Sequence, residues 1–324
     1  MSTQTMLFDQ AMHAIRQAKR ILVMADMAPD GDSIGSSSAM LNWLLREDKQ
    51  VTAYCGEPIP YTLKYLDNIH HFTNDARVFD EPHDLVMTFD AGSASRAGLA
   101  PHQHRLPADH TLIVFDHHAV NDRFGHFNLV FTDACSTTEV LYHFFTHHRV
   151  VIDERMATSL LSGILFDTSS FSNSATTVKG VEAAGALLAA GARQTDILRH
   201  LIQNKSVSAL RLWGLALSRL TVSPTFHLAY TYFLQEDLKR IPQSDEAIEG
   251  VSNFLNAVCE GVDTILVLKE LPDNRVRGSI RSVSRDVSKL AKLFGGGGHK
   301  KAAGFTVKGK LKIENHQAHI VSTL

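Results

Sequence analysis

The chain has 324 residues, 44% hydrophobic and 20% charged, with a formal net charge of −2. That length favours two domains over one core, and the mixture of apolar and charged residues excludes disordered, fibrous and collagen-like classes. No apolar run is long enough to span a bilayer and the N-terminus lacks a secretory signal pattern, so the expectation is a cytoplasmic protein without membrane association.

In chain order, Arg20–Ala25 reads as a buried strand, followed by a helical pattern from Ser33 to Arg46 that opens on serines and glycines. Short apolar runs follow at Val51–Tyr54, Asp84–Phe89 and Thr111–Phe115. Helical patterns lie at Ser136–Thr146 and Glu154–Leu165. Strands alternating with helices predict a mainly parallel sheet with helices on both faces. From Val178 to Leu220 the pattern is continuously helical, which suggests the end of one domain and a connecting helix. Strands are expected again at Thr225–Phe233, Thr264–Lys269, Arg275–Arg281 and Phe305–Val307. Helices are expected near Asp245–Glu260 and at Val287–Phe294. The division is 1–190, a metal-binding catalytic domain; 191–220, a helical linker; and 221–324, a smaller α/β domain for substrate.

Three cysteines, Cys55, Cys135 and Cys259, are far apart and form neither a disulfide framework nor a CxxC site. Eighteen histidines tempt a metal reading, yet His70-His71 and His147-His148 have no acid placed at a strand end and read as ordinary surface residues. Trp43 and Trp213 lie on helical patterns and read as core. The stretch from Arg275 to Lys312 carries a net +10, which leaves −12 for the remainder. Such asymmetry suits carboxylates that bind metal facing a cationic clamp, although a solvated basic face has the same composition.

The acids carry more information. The first strand leads into Asp26, Asp30 and Asp32, the Asp84–Phe89 run ends in Asp90, and the Thr111–Phe115 run ends in Asp116-His117-His118. Later the apolar run Leu160–Phe166 ends in Asp167, making four strand ends that carry acids. One such aspartate is usually a helix N-cap; four at the carboxyl edge of one parallel sheet would converge where ligands bind and repel unless cations hold them. Oxygen donors with a few imidazoles suit Mn²⁺ or Mg²⁺. The four-glycine run Gly295–Gly298, set between an amphipathic helix and an apolar strand, would let backbone N–H groups approach an anion, with a flexible linker as the competing reading. Neither a Walker A loop nor a G-x-G-x-x-G fingerprint is present.

Pro29-Asp30-Gly31-Asp32-Ser33-Ile34-Gly35-Ser36 and Asp116-His117-His118 resemble the first and the name-giving motifs of DHH phosphoesterases. Asp90-Ala91-Gly92-Ser93 with Arg96-Ala97-Gly98, and Gly163–Thr168 with Phe171, resemble two further motifs in the same order. Gly278–Ser282 and Gly295–His299 with Ala302–Phe305 resemble the DHH-associated domain of the first type. The branch most similar holds nanoRNase/pAp phosphatases and cyclic-dinucleotide phosphodiesterases. The resemblance implies two Mn²⁺ ions (Mg²⁺ as the alternative), one on Asp30 and Asp90, the other on Asp32, Asp90, His117 and Asp167. His118 would sit beside the scissile phosphate, with Asp116 orienting the histidines, and a hydroxide activated by the metals would attack phosphorus in line. Arg96, Arg281, Ser282, Gly296, Gly297, Gly298 and His299 would bind substrate, with a surface salt bridge as the alternative for Arg96.

The family's first motif begins with histidine three residues before the proline, where this chain has Asp26. An aspartate can hold a hard cation through oxygen, so Asp26 is expected to join the metal ligands; the alternative is a weakened first metal. The expected substrates are short oligoribonucleotides, dinucleotides or pAp-like molecules, because the modest charge does not suit long nucleic acids. An exonuclease on longer strands and a nucleotide sensor with impaired catalysis are the competing readings, and a homodimer is left open.

Overall fold

The computed structural model describes residues 3–201, 206–239, 247–248, 250–298, 300–314 and 317–321. It divides into two compact units, Met1–Asn204 and Lys205–Leu324. In the first, β1 (Arg20–Ala25), β2 (Gln50–Tyr54), β3 (Phe72–Thr73), β4 (Leu85–Phe89), β5 (Thr111–Asp116) and β6 (Phe127–Val130) form a parallel sheet in the order β3-β2-β1-β4-β5-β6. The central strands are unbroken apolar runs because both of their faces are covered. Ile21, Val23, Leu85, Met87, Ile113 and Phe115 enter one core, and the alternating Leu22, Met24, Val86 and Leu112 enter the other.

The first core is closed by helices α1 (Thr3–Gln17), α2 (Gly31–Arg46), α3 (Thr137–His147), α4 (Glu154–Asp167) and α5 (Val178–Ala189). The second is closed by a 3-10 turn at Ala76–Asp80 and by chain that includes Ala91, Ala97, Leu99 and Leu106. Helix α1 was not anticipated, although Phe8, Ala11, Met12 and Ile15 give the buried stripe an amphipathic helix needs. The His147-His148 pair holds that helix in place. His147 Nε2 is 3.0 Å from Asp9 Oδ1, and the His148 ring is 3.1 Å from the Phe8 carbonyl oxygen.

Helix α2 is rich in glycine and serine, which are weak helix formers, and it depends on caps and close packing. Asp30 caps it, accepting from the Asp32 and Ser33 amides, while the Ser33 hydroxyl accepts from the Asp30 amide in return. The buried hydroxyls of Ser36 and Ser37 return to the carbonyls of Asp32 and Ser33, four residues back, at 2.7 and 2.6 Å.

In the second unit, β7 (Thr221–Ser223), β8 (Leu228–Phe233), β9 (Thr264–Leu271), β10 (Arg275–Ser282), β11 (Gly297–Gly298) and β12 (Ala302–Lys308) form a mixed sheet in the order β11-β12-β10-β9-β8-β7. A hairpin of β13 (Lys310–Glu314) and β14 (Gln317–Val321) follows. The segment 191–220 is not a free-standing connector. Helix α6 (Gln194–Leu201) places Ile197 in the first unit's core, and α7 (Val207–Ser218) places Ala209, Leu212 and Ala216 in the second's. Between Asp245 and Glu260 the structure has α9 (Val251–Val258), preceded by the five-residue α8 (Gln235–Lys239). Helix α10 spans Val287–Leu293. Among the described residues no helix is long and apolar enough to cross a membrane.

Candidate metal centre

The strand order reverses between β1 and β4, which is where ligands bind in open sheets of this kind. Ala25 is level with Phe89, and Phe89 with Phe115, so Asp26, Asp90 and Asp116 stand side by side at the carboxyl edge. Asp90 has a left-handed backbone (φ 61°), an uncommon conformation for a residue with a side chain, and its amide still donates to the Phe115 carbonyl at 2.9 Å. The fourth acid corrects the reading above. Asp167 is the last residue of helix α4 and ends no strand. Its apolar run continues a helical pattern that begins at Met156, so it packs as a helix face.

His117 is the hub. Its Nε2 is 3.1 Å from Asp167 Oδ2, 3.7 Å from Asp90 Oδ1 and 3.9 Å from Asp32 Oδ2. Its Nδ1 is 3.3 Å from the Ala134 carbonyl, a proton acceptor that keeps the hydrogen on Nδ1 and turns the Nε2 lone pair towards the acids. Asp32 is fully buried and lies at two helix N-termini: it sits in the first turn of α2 and accepts from Thr137 N (2.6 Å) and Thr138 N (2.9 Å), which open α3. Aligned N–H groups at a helix start stabilise an anion. The Thr137 hydroxyl adds a 2.9 Å hydrogen bond to Asp90 Oδ1. Neither threonine was singled out from the sequence, because the contacts cross 47 residues to Asp90 and more than a hundred to Asp32.

His118 has another role. Its Nδ1 donates to Asp116 Oδ1 at 2.8 Å, and the same oxygen accepts from the His117 and His118 amides. Asn121 Nδ2 donates to the other Asp116 oxygen at 2.5 Å. Burial alone would raise the Asp116 carboxyl, but the bonds from His118 and Asn121 outweigh it and hold the group below its usual range. The hydrogen bond to Asp116 in turn raises His118 above the usual imidazole value, against the opposing effect of burial. With Nδ1 committed, the remaining nitrogen of this part-exposed ring is the one available to a ligand.

Elsewhere in the cluster the acids resist ionisation. Burial, then the charges of Asp32, Asp30, Asp167 and Asp116, push Asp90 well up. Asp167 is pushed up to about 7 by burial and by the Asp32 charge. Burial works against a charged His117, yet Asp167 and Asp32 overcome it and raise the ring to about 9. Carboxylates crowded in this way hold protons until a cation replaces them. Asp32, Asp90, Asp167 and the His117 imidazole together suit one divalent cation with hard-to-borderline preference.

Asp26 and Asp30 are not among the donors grouped with His117, although the Asp30 charge still acts on Asp90 and Asp167. Asp26 is buried and faces Arg96: its Oδ2 accepts from Arg96 Nε at 2.9 Å, and its Oδ1 from Nη2 at 2.6 Å and from Ala28 N at 2.7 Å. The Oδ1 of Asp30 is engaged in the α2 cap, accepting also from the Ser33 hydroxyl at 3.0 Å. After Asp167 the chain makes a left-handed turn over Ser169, Ser170 and Phe171 (φ 48°, 57° and 67°), and the Phe171 side chain is part-exposed. Backbone of this kind is strained for residues with side chains, and nothing in local propensity announces it.

In the second unit the glycine run is no linker. Gly297 and Gly298 form β11 against Gly304 and Ala303. A Cβ on Gly296 would stand 2.1 Å from the Gly304 carbonyl oxygen, whereas Gly297 faces open space. Arg281 directs its hydrogen bonds to neutral oxygens, Asn253 Oδ1 (2.6 Å) and the Ile280 carbonyl (3.1 Å), and burial lowers its pKa. Ser282 is buried, with its hydroxyl donating to the Asp263 carbonyl and accepting from the Arg285 amide. His299 lies outside the described residues.

The model of the DHH family N-terminal domain matches residues 20–164, and that of the DHHA1 domain matches residues 244–324. The chain is 30% identical over 300 residues to the bifunctional oligoribonuclease and PAP phosphatase NrnA of Thermus thermophilus, covering 89% of this chain and 84% of that protein. This chain belongs to the DHH family. It is 25% identical over 295 residues to the Bacillus subtilis protein of the same name, covering 89% of each. The fold is shared with an exopolyphosphatase-related protein from Bacteroides fragilis, at a TM-score of 0.85 and 23% identity over 94% of this chain and 92% of that one. As a member of this family the chain is a phosphoesterase, a hydrolase.

Proposed function

We propose that this DHH phosphoesterase hydrolyses short oligoribonucleotides, dinucleotides or pAp-like nucleotides, with Mn²⁺ as its cation and Mg²⁺ as a substitute. The observation that carries the reading is the convergence of Asp32, Asp90 and Asp167 on His117 Nε2, with His118 alongside and free at one nitrogen. When bound there, a divalent cation supplies Lewis-acid polarisation of phosphate oxygens and hydroxide at neutral pH. His118, whose imidazole Asp116 shifts towards its charged form, would donate a hydrogen bond to a phosphate oxygen and offset charge that develops during attack. Arg96, fixed on one side by Asp26, directs its remaining Nη1 to a second phosphate oxygen.

The NrnA relatives are named for oligoribonuclease and PAP phosphatase activity, which supports small nucleotide substrates. Arg281, Gly296, Gly297 and Gly298 remain our candidates for the nucleotide clamp, with His299. Among the described residues Arg281 has no carboxylate hydrogen-bond partner, which leaves its charge for a phosphate. Ser282 would act by shaping the turn before Arg285. Three free thiols fit a cytoplasmic setting.

The test is a length series: pAp, a 5′-phosphorylated diribonucleotide, a cyclic dinucleotide, and 5-mer and 24-mer RNA, each with metal-loaded protein. Fast cleavage of the short substrates and slow cleavage of the 24-mer supports the reading, whereas an increase with length points to an exonuclease. A second reading, nucleotide binding with weak catalysis, is favoured by the engagement of Asp26 with Arg96. Tight nucleotide binding without turnover would establish it.

A further inference from the structure

We propose that this centre seats one divalent cation tightly, among Asp32, Asp90, His117 and Asp167, and that Arg96, clamped on the buried Asp26, supplies the positive charge a second cation would bring. The proposal rests on the metal reading above but on no particular substrate. Two groups of three donors lie together here, Asp32-His117-Asp167 and Asp90-His117-His118, each within 4.8 Å. They share His117, and the His118 atom nearest Asp90 is Nδ1, which already donates to Asp116. Removing that atom merges the two groups into one seat. Donor separations there of 3.1 to 3.9 Å are close to what metal–ligand bonds of about 2.1 Å produce.

A second seat next to it lacks donors. Both Asp26 oxygens are occupied, one by Arg96 Nε and the other by Arg96 Nη2 and the Ala28 amide. Asp30 Oδ1 serves three donors of the α2 cap. What remains is one oxygen of Asp30 and one of Asp90, too few for tight retention of a hard cation that prefers six or more oxygen ligands. Once a cation displaces the protons these acids hold, Asp30, Asp32, Asp90, Asp116 and Asp167 together outweigh its two charges, and the Arg96 guanidinium is fixed near them by a two-point contact with Asp26. The Asp26 side chain is 3% exposed and that of Arg96 60%, so the carboxylate is buried and the guanidinium reaches solvent. Among the described residues Arg96 Nη1 has no partner. Asp26 is therefore a positioning residue for Arg96.

The experiment counts metal, with no substrate present. Full-length protein is stripped with chelator, loaded with Mn²⁺, desalted and analysed for metal content, with calorimetric titration alongside. Wild type is expected to retain about one Mn²⁺ per chain. Arg96→Gln releases Asp26 as an oxygen ligand, and Asp26→His removes the clamp while adding an imidazole, so each should raise retention to about two. Asp32→Asn should abolish retention. Circular dichroism confirms which variants are folded, and either folded member of the Arg96 and Asp26 pair decides the question. Wild-type retention of two ions overturns the proposal, as does retention of one by the folded variants. Because no turnover is read, a protein that cleaves no nucleotide yet retains one Mn²⁺ upholds this proposal while refuting the proposed activity.

Discussion

Gly163 on α4 is where the packing that builds the centre can be tested by a single methyl group. An alanine Cβ there would lie 2.4 Å from Thr138 Cγ2 and Oγ1 and 2.5 Å from Asp32 Oδ1. Non-bonded carbons rest at about 3.5–4.0 Å, so roughly 1 Å of extra separation has to be found. Neither neighbour is free to yield. The Thr138 amide is bonded to Asp32, its hydroxyl is 2.8 Å from Ser136 Oγ, and Asp32 is held by two amides of α3. Alanine returns up to about 1 kcal/mol of helix propensity. Overpacking costs about 1–3 kcal/mol, and loosening a charge-assisted hydrogen bond on Asp32 adds about 1.5–3 kcal/mol. The balance is a loss of about 2 kcal/mol or more, together with weaker Mn²⁺ binding. Gly185, on the exposed side of α5, is the control, because a Cβ there meets nothing within 4 Å. Gly185→Ala should stabilise by about 0.5–1 kcal/mol. Urea unfolding followed through Trp43, in a Trp213→Phe background, reports the first unit alone. If Gly163→Ala leaves stability and Mn²⁺ affinity unchanged, the close approach of α4 to Asp32 is wrong.

Three further outcomes follow from the same geometry. Asp116→Asn should lower turnover about 10²–10³-fold through His118 while leaving metal content unchanged, as kinetics and metal analysis together will read. Below about pH 9 the metal-free His117 is protonated and must lose that proton to become a ligand, so apparent Mn²⁺ affinity should climb as pH rises from 7 and flatten near 9, by about tenfold per unit. A pH-independent affinity measured by titration would contradict the His117 assignment. Burial pushes the Cys55 thiol up to about 11 and the Cys135 thiol upward, and Cys259 is also raised, so a thiol reagent at pH 7.5 should modify the native protein slowly and all three cysteines once it is unfolded.

Much of the acidic sheet edge was legible because it follows from alternation. Apolar runs buried on both faces announce parallel strands, and a strand that ends in Asp26, Asp90 or Asp116 puts that acid at the carboxyl edge wherever its neighbours pair. Asp167 lies 3.1 Å from His117 but comes from a helix and not from a strand end, since a short apolar run does not distinguish a buried strand from a buried helix face. Contacts set by tertiary packing left no local trace. The Thr137 and Thr138 amides on Asp32 join residues more than a hundred positions apart, and Arg96 meets Asp26 across 70. The Asp26 position illustrates the difference. Its residue type marks it as unusual, but only the structure pairs it with Arg96.

In the proposed function, the acids around His117 hold the cation that drives hydrolysis of small nucleotides. The most direct test measures cleavage of a 5′-phosphorylated diribonucleotide and of pAp by chelator-stripped protein before and after Mn²⁺ is returned, for wild type and Asp32→Asn. The expected result is no turnover when stripped, recovery with Mn²⁺ in wild type, and a loss of at least about 10³-fold in Asp32→Asn. Unchanged cleavage in the stripped enzyme, or equal recovery in Asp32→Asn, would contradict it.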